Sequence, residues 1–254
     1  MQDMREESAA CVRDVRDAGT PAPDAREDAV QVRGAQEGDA AYVRDAQEDA
    51  VQVRDAQEGD VEQLLNIYDY YVRETAVSFD WETPSLDEFT DRMRRIKERY
   101  PYLVVVDQGV VAGYAYAQPF VGRTAYDWTC ELTIYLDAQA RHRGLGRTLY
   151  DALEQRLSAM GILDLYACIG VPHREDSNPS CVGYPPTSKD PHLSWDSPRF
   201  HEHLGFHEVG HFEKCGYKFG RWYDMIWMGK AIGAHRDVQP PVMWYPQLKS
   251  RGIF

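Results

Sequence analysis

Several features that would place this chain in a familiar functional class are missing or scarce. No apolar run in its 254 residues is long enough to cross a bilayer, so no transmembrane helix is expected. Met1 to Ala10 has neither a basic n-region nor an apolar h-region, which speaks against a secretory signal. Cysteine is sparse, and Cys11, Cys130, Cys168, Cys181 and Cys215 are an odd set without C-x-x-C spacing, as expected of a protein in the reducing cytoplasm. Positive charge is in deficit: 28 Lys and Arg face 41 Asp and Glu, a formal net charge of -13, which argues against nucleic acid as the main partner. Neither of the best-known phosphate-loop patterns is present. No G-x-x-x-x-G-K-[ST] can be fitted, and Leu149 stands where G-x-G-x-x-G needs its third glycine.

What is present is enough apolar material for a packed core, with 43% hydrophobic and 12% aromatic residues. The negative charge is uneven. Residues 1 to 50 hold thirteen acidic and six basic side chains and few large apolar groups, too little to offset chain entropy, so this extension is expected to be disordered or loosely helical. It is also repetitive: Glu27 to Arg33 (EDAVQVR) recurs as Glu48 to Arg54, each copy leading into AQEGD. With two or three valines per unit, the repeat lacks the apolar face that a stacking solenoid needs. It reads as duplicated copies of the first strand and turn of the domain that follows.

That domain is expected over 51–231. Val51 to Arg54 reads as a strand, followed by a helix from about Asp60 with Val61, Leu64, Leu65, Tyr68 and Tyr71 on one face. Ser85 and Glu88 form a capping box before a second helix with Leu86, Phe89, Met93 and Ile96 inward. Tyr102 to Val106 and Val110 to Ala117, joined by Asp107-Gln108-Gly109, read as a hairpin. Trp128 to Leu136 is the next strand. A long helix then runs to Met160, with Gly161 as its stop, and Leu163 to Ile169 follows as a strand. Residues 172–194 turn to Pro, Ser, Asn and Gly and read as an inserted surface loop. A short helix, Pro198 to Leu204, and strands His207 to Phe212 and Trp222 to Met228 complete the domain, leaving a C-terminal tail, 232–254, of no legible role.

The centre of the pattern is Glu131 to Leu153, ELTIYLDAQARHRGLGRTLYDAL. A β-branched and aromatic strand enters a turn, Arg141-His142-Arg143-Gly144-Leu145-Gly146, and a helix with Leu145, Leu149 and Leu153 on one face leaves it. The start of a helix has unpaired N–H donors and a positive dipole end, and Arg141, His142, Arg143 and Arg147 add charge around it. A diphosphate suits such a site. By itself R-x-x-G-x-G reads equally as a basic helix cap.

With its flanking strand and helix, this turn resembles motif A of the GNAT superfamily of acetyl-CoA-dependent N-acetyltransferases. More narrowly, Ala125-Tyr126-Asp127-Trp128-Thr129-Cys130-Glu131, Phe200-His201-Glu202-His203-Leu204-Gly205-Phe206 and Gly216-Tyr217-Lys218 look like the phosphinothricin and methionine sulfone N-acetyltransferases. The resemblance runs collinearly over Val51 to Lys230. It implies an α/β (α+β) GNAT fold, a mixed central sheet of about six to seven strands flanked by helices. It also implies acetyl-CoA as co-substrate and a homodimer.

Moving an acetyl group from a thioester to an amine requires a neutral amine, a stabilised oxyanion and a proton for the departing thiolate. Glu131 reads either as a strand-end carboxylate paired with an arginine or, by the resemblance, as the general base. His201 reads as a helix-surface histidine or, by the resemblance, as the group near the thioester sulfur that protonates the thiolate or assists deprotonation. The resemblance further implies Ile134, Tyr135 and Leu136 as main-chain partners of the pantetheine arm, with an oxyanion contact near Leu136. The diphosphate cradle would be Arg141, His142, Arg143, Gly144, Leu145, Gly146 and Arg147. Phe79, Arg123 and Tyr126 would line the acceptor site. An acceptor carboxylate and tail oxygens call for cations, and Arg123 and Lys218 suit that need.

Two departures from the resembled pattern stand out. Val121 replaces a customary cation, and Ser194 and Asp196 stand where an asparagine is usual before the last helix. His203, His207, His211 and Cys215 recur every fourth residue, but Gly205 and Gly210 interrupt any helix, so no metal is expected. Cys130 neighbours Glu131 on a strand and faces the other way, toward the core, which disfavours a thiol intermediate. The leading expectation is acetyl transfer to a small amino-acid-like amine of the phosphinothricin or methionine sulfone or sulfoximine type. A polyamine, aminoglycoside or protein amine is the alternative acceptor, and a non-catalytic acyl-CoA-binding module the alternative class.

Overall fold

A computed structural model describes residues 51–173, 184–185 and 188–254; the N-terminal extension and the middle of the insertion lie outside the described residues. Twelve elements are used below. They are β1 (Gln52–Asp55), α1 (Val61–Glu74), α2 (Leu86–Lys97), β2 (Tyr102–Asp107), β3 (Val110–Pro119), β4 (Thr129–Leu136), α3 (Leu145–Met160), β5 (Asp164–Val171), α4 (Asp196–His203), β6 (His207–Lys218), β7 (Arg221–Ala231) and α5 (Tyr245–Ser250).

The strands form one seven-stranded sheet in the order β1-β2-β3-β4-β5-β7-β6. Every pairing is antiparallel except β4 with β5, which are joined by the crossover helix α3, so the sheet is mixed as expected. Alternation along the strands sorts side chains onto two covered faces. Leu149, Leu153 and Leu157 of α3 pack on one face against Leu103, Ala115, Cys130, Leu132, Leu165 and Ile226. Leu64, Tyr68 and Tyr71 of α1 and Phe89 and Met93 of α2 cover the other, over Val104 and Tyr114.

Local chemistry sets the ends of these elements. The Ser85 hydroxyl accepts from the Glu88 amide and the Glu88 carboxylate from the Ser85 amide, closing the capping box of α2. Gly161, at φ +86, ends α3 in the left-handed region that glycine enters without strain. Gln108 and Gly109, both at positive φ, make the tight β2–β3 turn.

The tail is a structural element and not a surface addition. Tyr245 and Leu248 of α5 are buried in the larger core. The Met243 amide donates to Met160 O at 2.9 Å and the Tyr245 amide to Arg99 O at 2.9 Å. The Tyr245 hydroxyl donates to Asp55 at 2.8 Å, tying the tail to the first strand.

The feature that creates a site is the short reach of the β4–β5 ladder. Pairing is confined to Thr129–Asp164, Cys130–Leu165 and Glu131–Tyr166; beyond that rung β4 stays with β3 and β5 with β7. The C-terminal halves of two parallel strands therefore part, leaving main-chain donors and acceptors on β4 without a strand partner. Crevices at the carboxyl ends of parallel strands are the usual ligand sites of such sheets.

Candidate active site

Glu131 sits on the last rung before the strands part, with Gln118 of β3 on one side and Tyr166 of β5 on the other. Strand alternation turns it to the α1–α2 face with Thr133 and Tyr135, while Cys130 is wholly buried on the α3 face. Burial pushes the Glu131 carboxyl above its ordinary range, partly opposed by a hydrogen bond with Gln118. Phe120 stacks on Tyr166 at 4.8 Å between centroids and meets Trp227 edge-on at 5.4 Å, roofing the sheet next to that rung.

Phe79, in the loop after α1, lies across Gly170 and Gly216; a Cβ on Gly216 would come within 2.7 Å of its ring. Those two glycines admit the ring onto the sheet. The Tyr68 hydroxyl bonds both Ser78 Oγ and Asp80 at 2.8 Å, fixing the loop from the helix side. Arg123 and Tyr126 are exposed on the loop between β3 and β4, with Tyr126 edge-on to Phe120 at 6.2 Å.

The basic turn begins one element further on. His142 (φ +60) and Gly144 (φ +82) reverse the chain, and Gly144 is the N-cap of α3. The first intrahelical bond is from the Thr148 amide to Gly144 O, so the amides of the first turn have no carbonyl one turn back to meet. A Cβ on Gly146 would lie 3.1 Å from the Phe200 ring, so glycine lets α3 and α4 approach closely. The arginines are anchored: Arg143 pairs with Asp107 at 2.7 Å, Arg147 donates to His203 O at 3.1 Å, and Arg141 lies over the rings of Tyr70 and Tyr71.

Of the three expected main-chain partners, Leu136 already has one. The Tyr71 hydroxyl donates to its carbonyl at 2.6 Å and accepts from its amide at 3.3 Å. Both groups therefore face away from β3, and alternation turns those of Ile134 the same way and those of Tyr135 toward β3. Tyr71 was legible only as a residue on a helix face; nothing in the sequence marks it as the cap of the open edge.

Residues 53–227 match the acetyltransferase (GNAT) domain family. The chain belongs to the GNAT acetyltransferases. It is 37% identical over 160 residues to a phosphinothricin N-acetyltransferase of Streptomyces viridochromogenes, covering 63% of this chain and 76% of the relative. It is 32% identical to an L-methionine sulfoximine/L-methionine sulfone acetyltransferase of Pseudomonas aeruginosa, over 65% of this chain and 85% of that one. The solved structure of a phosphinothricin acetyltransferase from Sinorhizobium meliloti in complex with acetyl-CoA superposes with a TM-score of 0.64 at 32% identity, covering 78% of this chain and 96% of that one. This GNAT protein is accordingly an acetyl-CoA-dependent N-acetyltransferase.

Two side chains with expected roles in this acetyltransferase already have all their polar atoms engaged. His201 is 3% exposed, and both ring nitrogens are engaged. Nδ1 donates to Ser197 O at 2.8 Å, which leaves Nε2 to accept from the Tyr150 hydroxyl at 2.9 Å. Burial pushes its pKa down to about 4, so it is neutral at physiological pH. A neutral imidazole with no free nitrogen is no proton donor to a thiolate, so His201 is a satisfied core histidine. Lys218 is 4% exposed, and its ammonium donates to three main-chain carbonyls, Val72 at 2.7 Å, Thr75 at 2.9 Å and Ser78 at 2.6 Å. No proton remains for an acceptor carboxylate.

Of the histidine series, His211 bonds Asp224 at 2.9 Å, and no group of three metal-ligating side chains occurs among the described residues. No helix of the described residues is long and apolar enough to cross a membrane.

Proposed function

We propose that this enzyme acetylates the primary amine of a small amino-acid-like acceptor, of the phosphinothricin or methionine sulfone or sulfoximine type, by direct attack. The observation that carries the reading is the position of Glu131: a half-buried carboxylate at the rung where two parallel strands part, on the face roofed by Phe79 and Phe120. The named activities of the relatives support the acceptor class.

Acetyl-CoA, when bound, supplies the acyl group as a thioester. The chain's own features fit such a molecule: free amides at the start of α3 with Arg141, His142 and Arg143 nearby suit a diphosphate, and the open edge at Ile134 suits an amide-containing arm. Glu131 removes the proton of the incoming ammonium, directly or through a water, leaving the amine lone pair free to attack the thioester carbonyl; the C–S bond then breaks, and CoA leaves as a thiolate that takes up the proton the acylated nitrogen sheds. Phe79 and Phe120 keep solvent from that face, and Arg123 offers the acceptor carboxylate its cation. Lys218 and His201 take no part in contacting the reactants.

Thiol release from acetyl-CoA, measured against an amine panel, tests the reading. Methionine sulfone, methionine sulfoximine and phosphinothricin should outrun polyamines, aminoglycosides and peptide amines. Tight CoA binding with no amine acetylated would leave a binding module instead. Arg141→Gln should raise the acetyl-CoA KM about tenfold with kcat little changed, because it removes binding made equally before and during reaction. The same reading has the enzyme as a cytoplasmic homodimer, checked by sedimentation and fractionation. It also makes residues 1–50 dispensable, so deletion of residues 1–45 should leave turnover intact.

A further inference from the structure

The loop that carries Phe79 hangs from the end of α1, and the way that helix ends is unusual. Thr75, its C-cap, is extended (φ −134, ψ 161), so there is no left-handed glycine to fold the chain back onto the last carbonyls. Three of the last four carbonyls, those of Tyr71, Val72 and Glu74, are instead met by side chains. The Thr75 hydroxyl donates to Tyr71 O at 2.8 Å, and His192 Nδ1 donates to Glu74 O at 3.1 Å. Lys218 donates to Val72 O, Thr75 O and then, past the helix, Ser78 O. A positive charge at a helix C-terminus also sits at the favourable end of the dipole.

This cap comes from the last residue of β6. It joins the helix end, the loop and the sheet edge at one buried point, where removing the donor leaves buried carbonyls unsatisfied. The residue after Ser78 is Phe79, whose ring rests on Gly170 of β5 and Gly216 of β6, two residues before the lysine. Behind the loop, Ala76 and Tyr223 pack with Leu193 from the end of the insertion, and the Ala76 amide donates to His192 O at 3.0 Å. The loop is thus held from within by an ammonium and from behind by the insertion. Its inner surface lies over the face of the sheet that also carries Glu131.

We propose that Lys218 is a positioning residue for the acceptor: its ammonium fixes the Thr75–Asp80 loop, and so places Phe79 over the sheet beside the acceptor, without touching the acceptor itself. This rests on the acetyl-transfer reading of the same site. The charge that residue type alone would offer to an acceptor carboxylate goes instead into building the wall of the pocket.

Lys218→Met keeps the aliphatic stem and removes the three donors. The acceptor KM is expected to rise about tenfold or more while the acetyl-CoA KM changes less than about twofold, the split that separates a local acceptor effect from general loss of structure. The loss should be equal for an acceptor and for its carboxamide, since no carboxylate contact is removed. It should also be non-additive with Phe79→Ala, because both act through one ring. Lys218→Arg, which keeps the charge, should fall between the parent and the methionine variant. Amide exchange of residues 76–81, read on the parent and on both Lys218 variants, should be fastest in Lys218→Met, and this readout does not depend on catalysis. The proposal is overturned if exchange in that loop is unchanged, if the carboxamide is insensitive to Lys218→Met, or if both substrates' KM values rise together. If the parent acetylates no amine yet loop exchange still responds, the functional reading fails and the structural role of Lys218 stands.

Discussion

Replacing Glu131 with glutamine should lower turnover by about 10²-fold or more while leaving the affinity for CoA intact, the size expected when a general base is lost and the shape of the site is kept. The loss should be deepest at lower pH, where the acceptor amine is most fully protonated and most needs a base. In the parent, burial raises the carboxyl pKa, so the base is active above its raised value and activity falls as pH drops through it, earlier than an ordinary glutamate would require. The same shift fixes the sign of the stability change. Below the ordinary pKa the group is protonated in both folded and unfolded chains and contributes nothing. Between the ordinary and the raised value only the unfolded chain is ionised, so stability falls as pH rises through that window, and the deficit persists at neutral pH. Glutamine carries no such deficit, so Glu131→Gln should melt at or above the parent's temperature at pH 7 while being nearly inactive. Unchanged turnover across pH would remove Glu131 from its role, and a lower melting temperature would show that the carboxylate is structurally paired.

Much of the framework was legible because it follows from short-range rules. The Ser85–Glu88 box, the Gly161 stop and the Gln108–Gly109 turn are local, and each is found where the residues place it. Longer-range geometry was not readable in the same way. β6 reads as ending at Phe212 but runs to Lys218, because register shifts between Glu208 and Gly210 and between Phe212 and Gly216 break the period-two alternation. The inner face of α1 is wider than its period suggests: Ile67 and Val72 are buried along with Val61, Leu64, Tyr68 and Tyr71, and Leu65 is only partly covered. Leu86, expected inside α2, is 41% exposed.

At the candidate site, Glu131 and the turn over 141–147 are singled out in the sequence only by the motifs they belong to, and the structure puts them at the last β4–β5 rung and at the start of α3. The states of Lys218 and His201 could not be read from residue type and order. Nothing near residue 218 announces that carbonyls from residues 72, 75 and 78 will surround its ammonium, and nothing near residue 201 announces the Tyr150 hydroxyl. Reactive residue types show what chemistry is available; tertiary contacts determine which of them remain free to perform it.

Deleting residues 235–254 is expected to unfold much of the domain, although in sequence this segment is a tail of no legible role. The six-residue α5 is too short to show a helical period, and its start is marked only by Pro246 in the first turn and by Gln247 closing on Trp244. Yet burying Tyr245 and Leu248 is worth roughly 1.5–3 kcal/mol each, against a whole-domain stability of about 5–15 kcal/mol. The deletion would also strip the Tyr245 hydroxyl from Asp55 and Arg156, Lys249 from Asp55, and Pro240 O from the Trp128 indole. Trp128 directly precedes β4, and the Leu163 amide, at the head of β5, donates to its carbonyl at 2.8 Å, so the disturbance reaches the pair of strands whose parting makes the crevice. Thermal unfolding followed by circular dichroism should show the truncated protein losing its cooperative transition or melting far below the parent. Tyr245→Phe, which removes only the hydroxyl, should cost about 1 kcal/mol and leave turnover unchanged. A truncated protein that melts within a few degrees of the parent would show that Tyr245 and Leu248 are carried by the core and do not hold it together.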